Sequence, residues 1–313
     1  MPETRLDLAR IRAARRVINP VFLDSPLYRC DALESALGCA VSVKLETANP
    51  VRSFKGRGTE LVASALTGPA VCASAGNLGQ ALAWSARGRG LDVKVVASRF
   101  APEAKLERIR ALGAELELVD GDFELARERA VAIARHDRIR LVEDSLDLET
   151  CEGAATIGLE LVDTAFDTVL VALGGGAMAT GVGHVLKALA PGVEVICVQP
   201  RGAPAMTRSF HERGVVTTGP TDTIADGVAG RRPIPEVLAD LLLVADDAVL
   251  VEEPSIITGL RMLFDHAGLV AEPSAALGIA AILEDRERFA GRHVVTIVCG
   301  GNVDGDAYRR WVG

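Results

Sequence analysis

Aromatic side chains are scarce in this chain of 313 residues, which has 2 Trp, 2 Tyr and 8 Phe. With 49% of residues hydrophobic, the core must be built mainly from Ala, Val, Leu and Gly. That excludes an aromatic-rich β-sandwich and favours closely packed α/β layers. No apolar run is long enough to cross a membrane; the longest, such as 169–173 and 294–299, have strand length. The first residues, Met1-Pro2-Glu3-Thr4-Arg5, are charged and lack the apolar core of a secretory signal. The six cysteines (30, 39, 72, 151, 197 and 299) show neither paired nor metal-ligand spacing, so free thiols in a reducing cytoplasm are expected. The five histidines are scattered and none joins a cluster of zinc spacing, so no metal site is expected. A net charge of −8 with mixed signs argues against a nucleic-acid footprint. The early clusters Arg10-Ile11-Arg12 and Arg15-Arg16 read as the solvated face of an amphipathic helix.

Lysine is the other scarcity. There are 29 arginines but only 5 lysines, at 44, 55, 94, 105 and 187. One of the five stands in Ser53-Phe54-Lys55-Gly56-Arg57-Gly58, with arginines on both sides. Arginine cannot replace a primary amine that must lose its proton and attack a carbonyl. Arg52 and Arg57 would favour the uncharged amine if they point toward it. A solvated loop lysine is the bland alternative, so the reading needs support elsewhere.

Short β-rich runs alternate with helical patterns. Strands are expected at 41–45, 70–73, 92–97, 115–119, 168–173, 194–199 and 294–299. Helices are expected at 58–66, 79–87, 102–112, 123–135 and 177–189. This is the βαβ rhythm of parallel sheets covered on both faces. Residues 70–140 form one run of βα units and a second set begins near 167, which predicts two parallel-sheet domains with a cleft between them. In such folds ligands gather at the carboxyl ends of strands.

The first strand end reads Ser74-Ala75-Gly76-Asn77-Leu78-Gly79-Gln80. Its small and polar residues suit a tight turn whose N–H groups face an anion at a helix N-terminus, or an ordinary capped turn. The second reads Gly174-Gly175-Gly176-Ala177-Met178, where backbone can approach a phosphate closely. This also fits the dinucleotide pattern G-x-G-x-x-A, but the following strand ends in Gln199-Pro200 rather than in the acidic residue that holds a ribose. The third is Cys299-Gly300-Gly301-Asn302, which sets a small neutral group, or a core thiol, at a crowded spot. Thr223-Ile224-Ala225-Asp226-Gly227 and Glu272-Pro273-Ser274 complete the set.

A singular lysine, an anion-binding turn and a phosphate loop fit a cofactor that carries both an aldehyde and a phosphate: pyridoxal 5′-phosphate. Together these segments resemble the fold-type II pyridoxal-phosphate enzymes, the tryptophan synthase β-like group. Within it the chain is similar to the serine/threonine dehydratase and serine racemase branch. The resemblance runs over nearly the whole chain. It implies an α/β fold of two parallel-sheet, three-layer domains: residues 1–57 and 147–313 as the larger, cofactor-binding one, and 58–146 as a smaller, mobile one carrying the substrate loop.

It also implies roles. Lys55 holds the cofactor as a Schiff base and, once released, moves the Cα proton. Phe54 packs on the ring, Asn77 bonds its phenolic oxygen, and Gly174, Gly175, Gly176, Ala177 and Met178 hold the phosphate. Cys299 faces the pyridine nitrogen, where many relatives have serine. Ser74, Ala75, Gly76, Asn77 and Leu78 bind the substrate. A neutral thiol cannot keep a proton on the ring nitrogen, so the ring is a weaker electron sink and rapid loss of a β-leaving group is favoured. The expected activity is an ammonia-lyase that dehydrates L-threonine, L-serine or a less common β-substituted analogue. Alternatives are β-replacement or threonine synthase-like chemistry, and a non-catalytic binder of the cofactor or of an amino acid.

Some positions depart from the branch. Ala75 replaces the serine that acts as second base in racemases, and Leu78 replaces a histidine. The segment 199–205 lacks the carboxylates that hold a divalent ion there, leaving a carbonyl-held monovalent cation open. No room is expected for a C-terminal regulatory domain. A homodimer is expected from the resemblance.

Overall fold

The computed structural model describes residues 3–313 and places ten strands in two sheets. The strands are β1 (Leu27–Arg29), β2 (Ala40–Leu45), β3 (Ala70–Ala73), β4 (Val93–Ser98), β5 (Glu115–Val119), β6 (Arg140–Val142), β7 (Thr168–Ala172), β8 (Glu194–Pro200), β9 (Asp247–Val251) and β10 (His293–Val298). The larger sheet has the order β1-β2-β10-β7-β8-β9 and the smaller β5-β4-β3-β6. All pairings are parallel except β1 with β2. Central strands such as β7 and β10 are near-continuous Val, Leu, Ile and Thr, and almost every residue of them is buried, as expected where helices cover both faces.

Strands predicted at 70–73 and 115–119 have the observed bounds, and the other predicted strands differ by a residue or so at their ends. Three short strands, β1, β6 and β9, escaped the sequence pattern. The chain leaves the larger sheet after β2 through the helix Lys55–Ala65, lays down β3 to β6, and returns through the helix Leu148–Leu161. These two helices cross where Gly58 and Gly153 face each other. A Cβ on Gly153 would sit 2.4 Å from the Gly58 Cα, so only bare backbone fits the crossing.

Beneath the start of the first helix lies a buried charge network. Arg57 is fully buried, donates to both oxygens of Glu46 at 2.8 Å, and reaches Glu160 at 2.6 Å. Lys44, also buried, donates to Glu160 at 2.5 Å. Burial pushes the Glu160 carboxyl up, but the Arg57 and Lys44 charges outweigh it and hold it at about 2. Arg57 therefore points into the protein and does not face the Lys55 amine, which corrects the expectation drawn from its position in the sequence.

Candidate active site

The lysine turn is built by Asn49, whose side chain donates to the carbonyls of Glu46 (2.8 Å) and Ser53 (3.2 Å) and accepts from Val51 N–H (3.1 Å). The turn is then laced to the end of β10. Phe54 N–H donates to the Cys299 carbonyl at 3.0 Å, and Gly301 N–H donates to the Arg52 carbonyl at 2.9 Å. Lys55 is the first residue of the helix, three residues earlier than the pattern predicted. Its Nζ lies 4.5 Å from the centroid of the Phe54 ring and donates to Asp144 Oδ2 at 2.5 Å. Lys55 is partly buried rather than a freely solvated lysine.

Asp144 comes from the other sheet, two residues after β6. Its second oxygen, Oδ1, is buried with no protein partner. Next to it, Ser145 adopts φ 67°, a left-handed backbone that is uncommon for serine. There its Oγ accepts from Ala177 N–H at 3.1 Å, at the start of the helix Ala177–Leu189. Neither residue was singled out from the sequence. The signal was the run Glu143-Asp144-Ser145 directly after a strand, but β6 is only 3 residues long and shows no usable alternation.

The glycine loop lies against this segment. A Cβ on Gly175 would sit 2.6 Å from Ser145 Oγ, and Gly176 has φ +108°. Among the described residues, the N–H groups of Gly174, Gly175 and Gly176 donate to no protein acceptor. Met178 and Ala177 are buried at the base of the loop. The result is a concave row of free donors at a helix N-terminus, the arrangement that binds a phosphate.

The opposite wall carries the remaining strand ends. Asn77 opens the helix Asn77–Arg87, and its Nδ2 donates to both oxygens of Glu272 at 2.9 and 3.1 Å. Asn302 Nδ2 donates to Asn77 Oδ1 at 2.8 Å, and Asn302 N–H to Glu272 Oε2 at 3.3 Å. Burial raises the Glu272 carboxyl above its ordinary range, with the Asn77 bond working against that. Cys299 is buried, and burial followed by the Glu272 charge pushes its thiol far up, so it stays neutral. Ser274 Oγ is buried beside Gly227 with no protein partner. In the substrate turn, Ser74 Oγ accepts from Gly76 N–H at 3.2 Å, and Ala75 and Gly76 are half-buried. Leu78, by contrast, packs into the core of the smaller sheet with Cys72 and Leu82. Its side chain does not line the cleft, so only its backbone is free to serve a ligand.

The structure thus gathers Lys55, Phe54, Asp144, the 174–178 loop, Asn77, Glu272 and Cys299 around one cleft between the two sheets. Similarity to known proteins matches this geometry. Residues 18–300 match the family described as pyridoxal-phosphate dependent enzyme. The chain is 30% identical over 310 residues to the biosynthetic L-threonine dehydratase of Bacillus subtilis (strain 168), covering 96% of this chain and 74% of that one. The threonine deaminase of T.th. superposes with a TM-score of 0.90 at 30% identity, covering 97% of this chain and 99% of that one. Maize serine racemase superposes with a TM-score of 0.92 at 26% identity, covering 97% and 96%. The amine at the head of its helix, the bare-backbone phosphate loop and these likenesses lead to one conclusion: the chain belongs to the pyridoxal-phosphate dependent enzymes of fold-type II, as a lyase of the threonine dehydratase-like kind.

Proposed function

We propose that this enzyme removes the α-hydrogen and β-hydroxyl of a β-hydroxy amino acid, releasing a 2-oxo acid and ammonia. The observation that carries the proposal is the Lys55 amine, held by Asp144 and set beside the free donors of the glycine loop. L-Threonine and L-serine are the reference substrates, in line with the likeness to threonine dehydratases.

The residues present fit pyridoxal phosphate. The amides of Gly174, Gly175 and Gly176, which have no protein acceptor among the described residues, would take its phosphate. The side chains that would hold its ring are Phe54, Asn77 at the phenolic oxygen and Cys299 at the nitrogen, the roles the family resemblance implies. When bound, the cofactor supplies an aldehyde for the amine and a ring that draws electrons from the bonds at Cα. Lys55 then takes the Cα proton as general base, and Asp144 fixes the orientation of the amine and its charge after transfer. The N–H groups of Ala75, Asn77 and Leu78 in the turn, free among the described residues, would orient the substrate carboxylate. The buried thiol of Cys299 stays neutral and would offer the ring nitrogen no counter-charge, which would favour prompt departure of the hydroxyl. The hydroxyl departs as water, taking up the equivalent of the proton removed from Cα, and the released enamine is hydrolysed by water to the 2-oxo acid and ammonia. Ala75 has no proton to deliver from the second face, so racemisation is slow. In this reading residues 58–146 form a mobile lobe that closes the site, and the enzyme is a cytoplasmic homodimer.

The test is to incubate the cofactor-loaded protein with a panel of L- and D-β-hydroxy amino acids and to measure 2-oxo acid release. Release from one or a few members supports dehydration. No release from any member, with cofactor still bound, overturns it and favours β-replacement with an added nucleophile.

A further inference from the structure

Two arginines at the cleft lack the carboxylate partner that the neighbouring cations have. Lys55 pairs with Asp144, and Lys105 pairs with Asp226 across the cleft. Arg52 and Arg108 lie within 4 Å of no carboxylate among the described residues. They stand on different elements. Arg52 stands in the turn before Lys55, and Arg108 on the helix Glu103–Ala111 that follows β4. Both are anchored to the same strand end, because Gly301 N–H donates to the Arg52 carbonyl and Arg108 Nη1 donates to Asn302 Oδ1. Asn302 in turn donates to Asn77. The Arg108 guanidinium is therefore two hydrogen bonds from the residue assigned to the cofactor's phenolic oxygen.

The arrangement is costly. Arg108 is partly buried, and burial followed by the Arg52 charge disfavours its charged form. Arg52 adopts φ 51°, a backbone conformation uncommon for residues other than glycine. Like charges brought together, Arg108 partly buried and Arg52 exposed, call for an anion between them. The cofactor phosphate has the glycine loop, and the substrate α-carboxylate has the turn at 74–78. The anion left to be matched belongs to the substrate side chain.

We propose that Arg108, assisted by Arg52, binds a carboxylate at the end of the substrate side chain, so that the preferred substrate is a β-hydroxy amino acid with a second, side-chain carboxylate. This rests on the elimination reading for its chemistry, though not for its binding. Serine and threonine then fit the reaction but leave both guanidinium groups unmatched.

Aspartate and asparagine separate the two ideas, because they share a shape, differ in charge and carry no β-hydroxyl. Calorimetric titration of the cofactor-loaded protein with each enantiomer is expected to show aspartate binding about tenfold or more tighter than asparagine, the scale of a charge-assisted hydrogen bond. Arg108→Ala should remove that difference. Arg52→Gly, which suits the left-handed backbone and so keeps the fold, should reduce it. β-Hydroxyaspartate should release 2-oxo acid with a higher kcat/KM than serine or threonine. Aspartate preference without release from any β-hydroxy amino acid leaves the anion site standing and removes the dehydratase. Equal binding of aspartate and asparagine, or equal losses for both in Arg108→Ala, overturns the anion site whatever the protein does to serine.

Discussion

Lys55 Nζ lies 2.5 Å from Asp144 Oδ2, although the lysine opens the helix leaving the larger sheet and the aspartate follows the last strand of the smaller one. The amine is thus held by a group from across the cleft. Asp144→Asn keeps the shape and removes the charge. We expect kcat to fall by roughly 10–100-fold, the scale of a lost charge-assisted hydrogen bond, with cofactor still bound. Steady-state kinetics beside the cofactor absorbance check this. Unchanged kcat would make the ion pair a packing feature.

In the proposed role Lys55 admits no replacement. Lys55→Arg retains the positive charge but not an amine that can condense with an aldehyde. Borohydride reduction followed by mass spectrometry should find the cofactor covalently attached to the wild-type protein and absent from the variant. Turnover should be lost as well. Covalent cofactor on the variant would move the attachment to another lysine.

The phosphate loop can be probed with a single methyl group. Gly175→Ala places a Cβ 2.6 Å from Ser145 Oγ, the acceptor of Ala177 N–H. Cofactor affinity should fall by about tenfold or more, equivalent to roughly 1.4 kcal/mol. Gly192→Ala, whose new Cβ meets nothing within 4 Å, serves as the control. Absorbance titration of the apoprotein reads both.

The buried network beneath the lysine sets an acid limit. The Glu160 carboxyl is held at about 2 against an ordinary value of 4.5. Its stabilisation is present above the unfolded value and is lost as pH falls through the folded one. The window is therefore about pH 4.5 down to 2, and the contribution is roughly 3 kcal/mol when fully present. Glu160→Gln should destabilise the protein by about 3–5 kcal/mol near neutral pH, because Arg57 and Lys44 lose a buried partner. It should also flatten the acid limb of stability. Urea unfolding of both proteins across that range measures each effect.

Much of this was legible in the chain. Residues at 71, 95, 169 and 295 sit in apolar runs of strand length, each followed by a helical pattern, and that rhythm fixes parallel sheets with functional residues at the strand ends. Glycines 174–176 were legible as a place of close backbone approach, and the neighbours they approach are Val228, Ser145 and Val237. Asp144 was not, since a carboxylate beside Ser145 looks like any polar turn until two sheets bring it to Lys55. Arg57 was misleading: sequence distance placed it near the amine, but helix geometry turned it toward Glu46 and Glu160. Leu78 shows a related limit, because a turn motif does not say which of its side chains rotates into the core. Arg52 and Arg108 are 56 positions apart in the chain, and only their shared anchor on residues 301 and 302 makes them neighbours.

The last strand, β10, sits in the middle of the larger sheet, between β2 and β7, and its end carries the Lys55 turn through Phe54 and Arg52. Order of synthesis and order of assembly therefore diverge. The ribosome delivers the amine early and the strand that positions it some 240 residues later. Until residues 293–298 emerge, β2 and β7 face an open slot, and each exposes an unpaired edge. A nascent chain can complete the phosphate loop long before it can aim the lysine. The lysine turn is therefore fixed only on final closure of the sheet, and a protein released short of β10 carries every recognisable motif of the first half without that anchor.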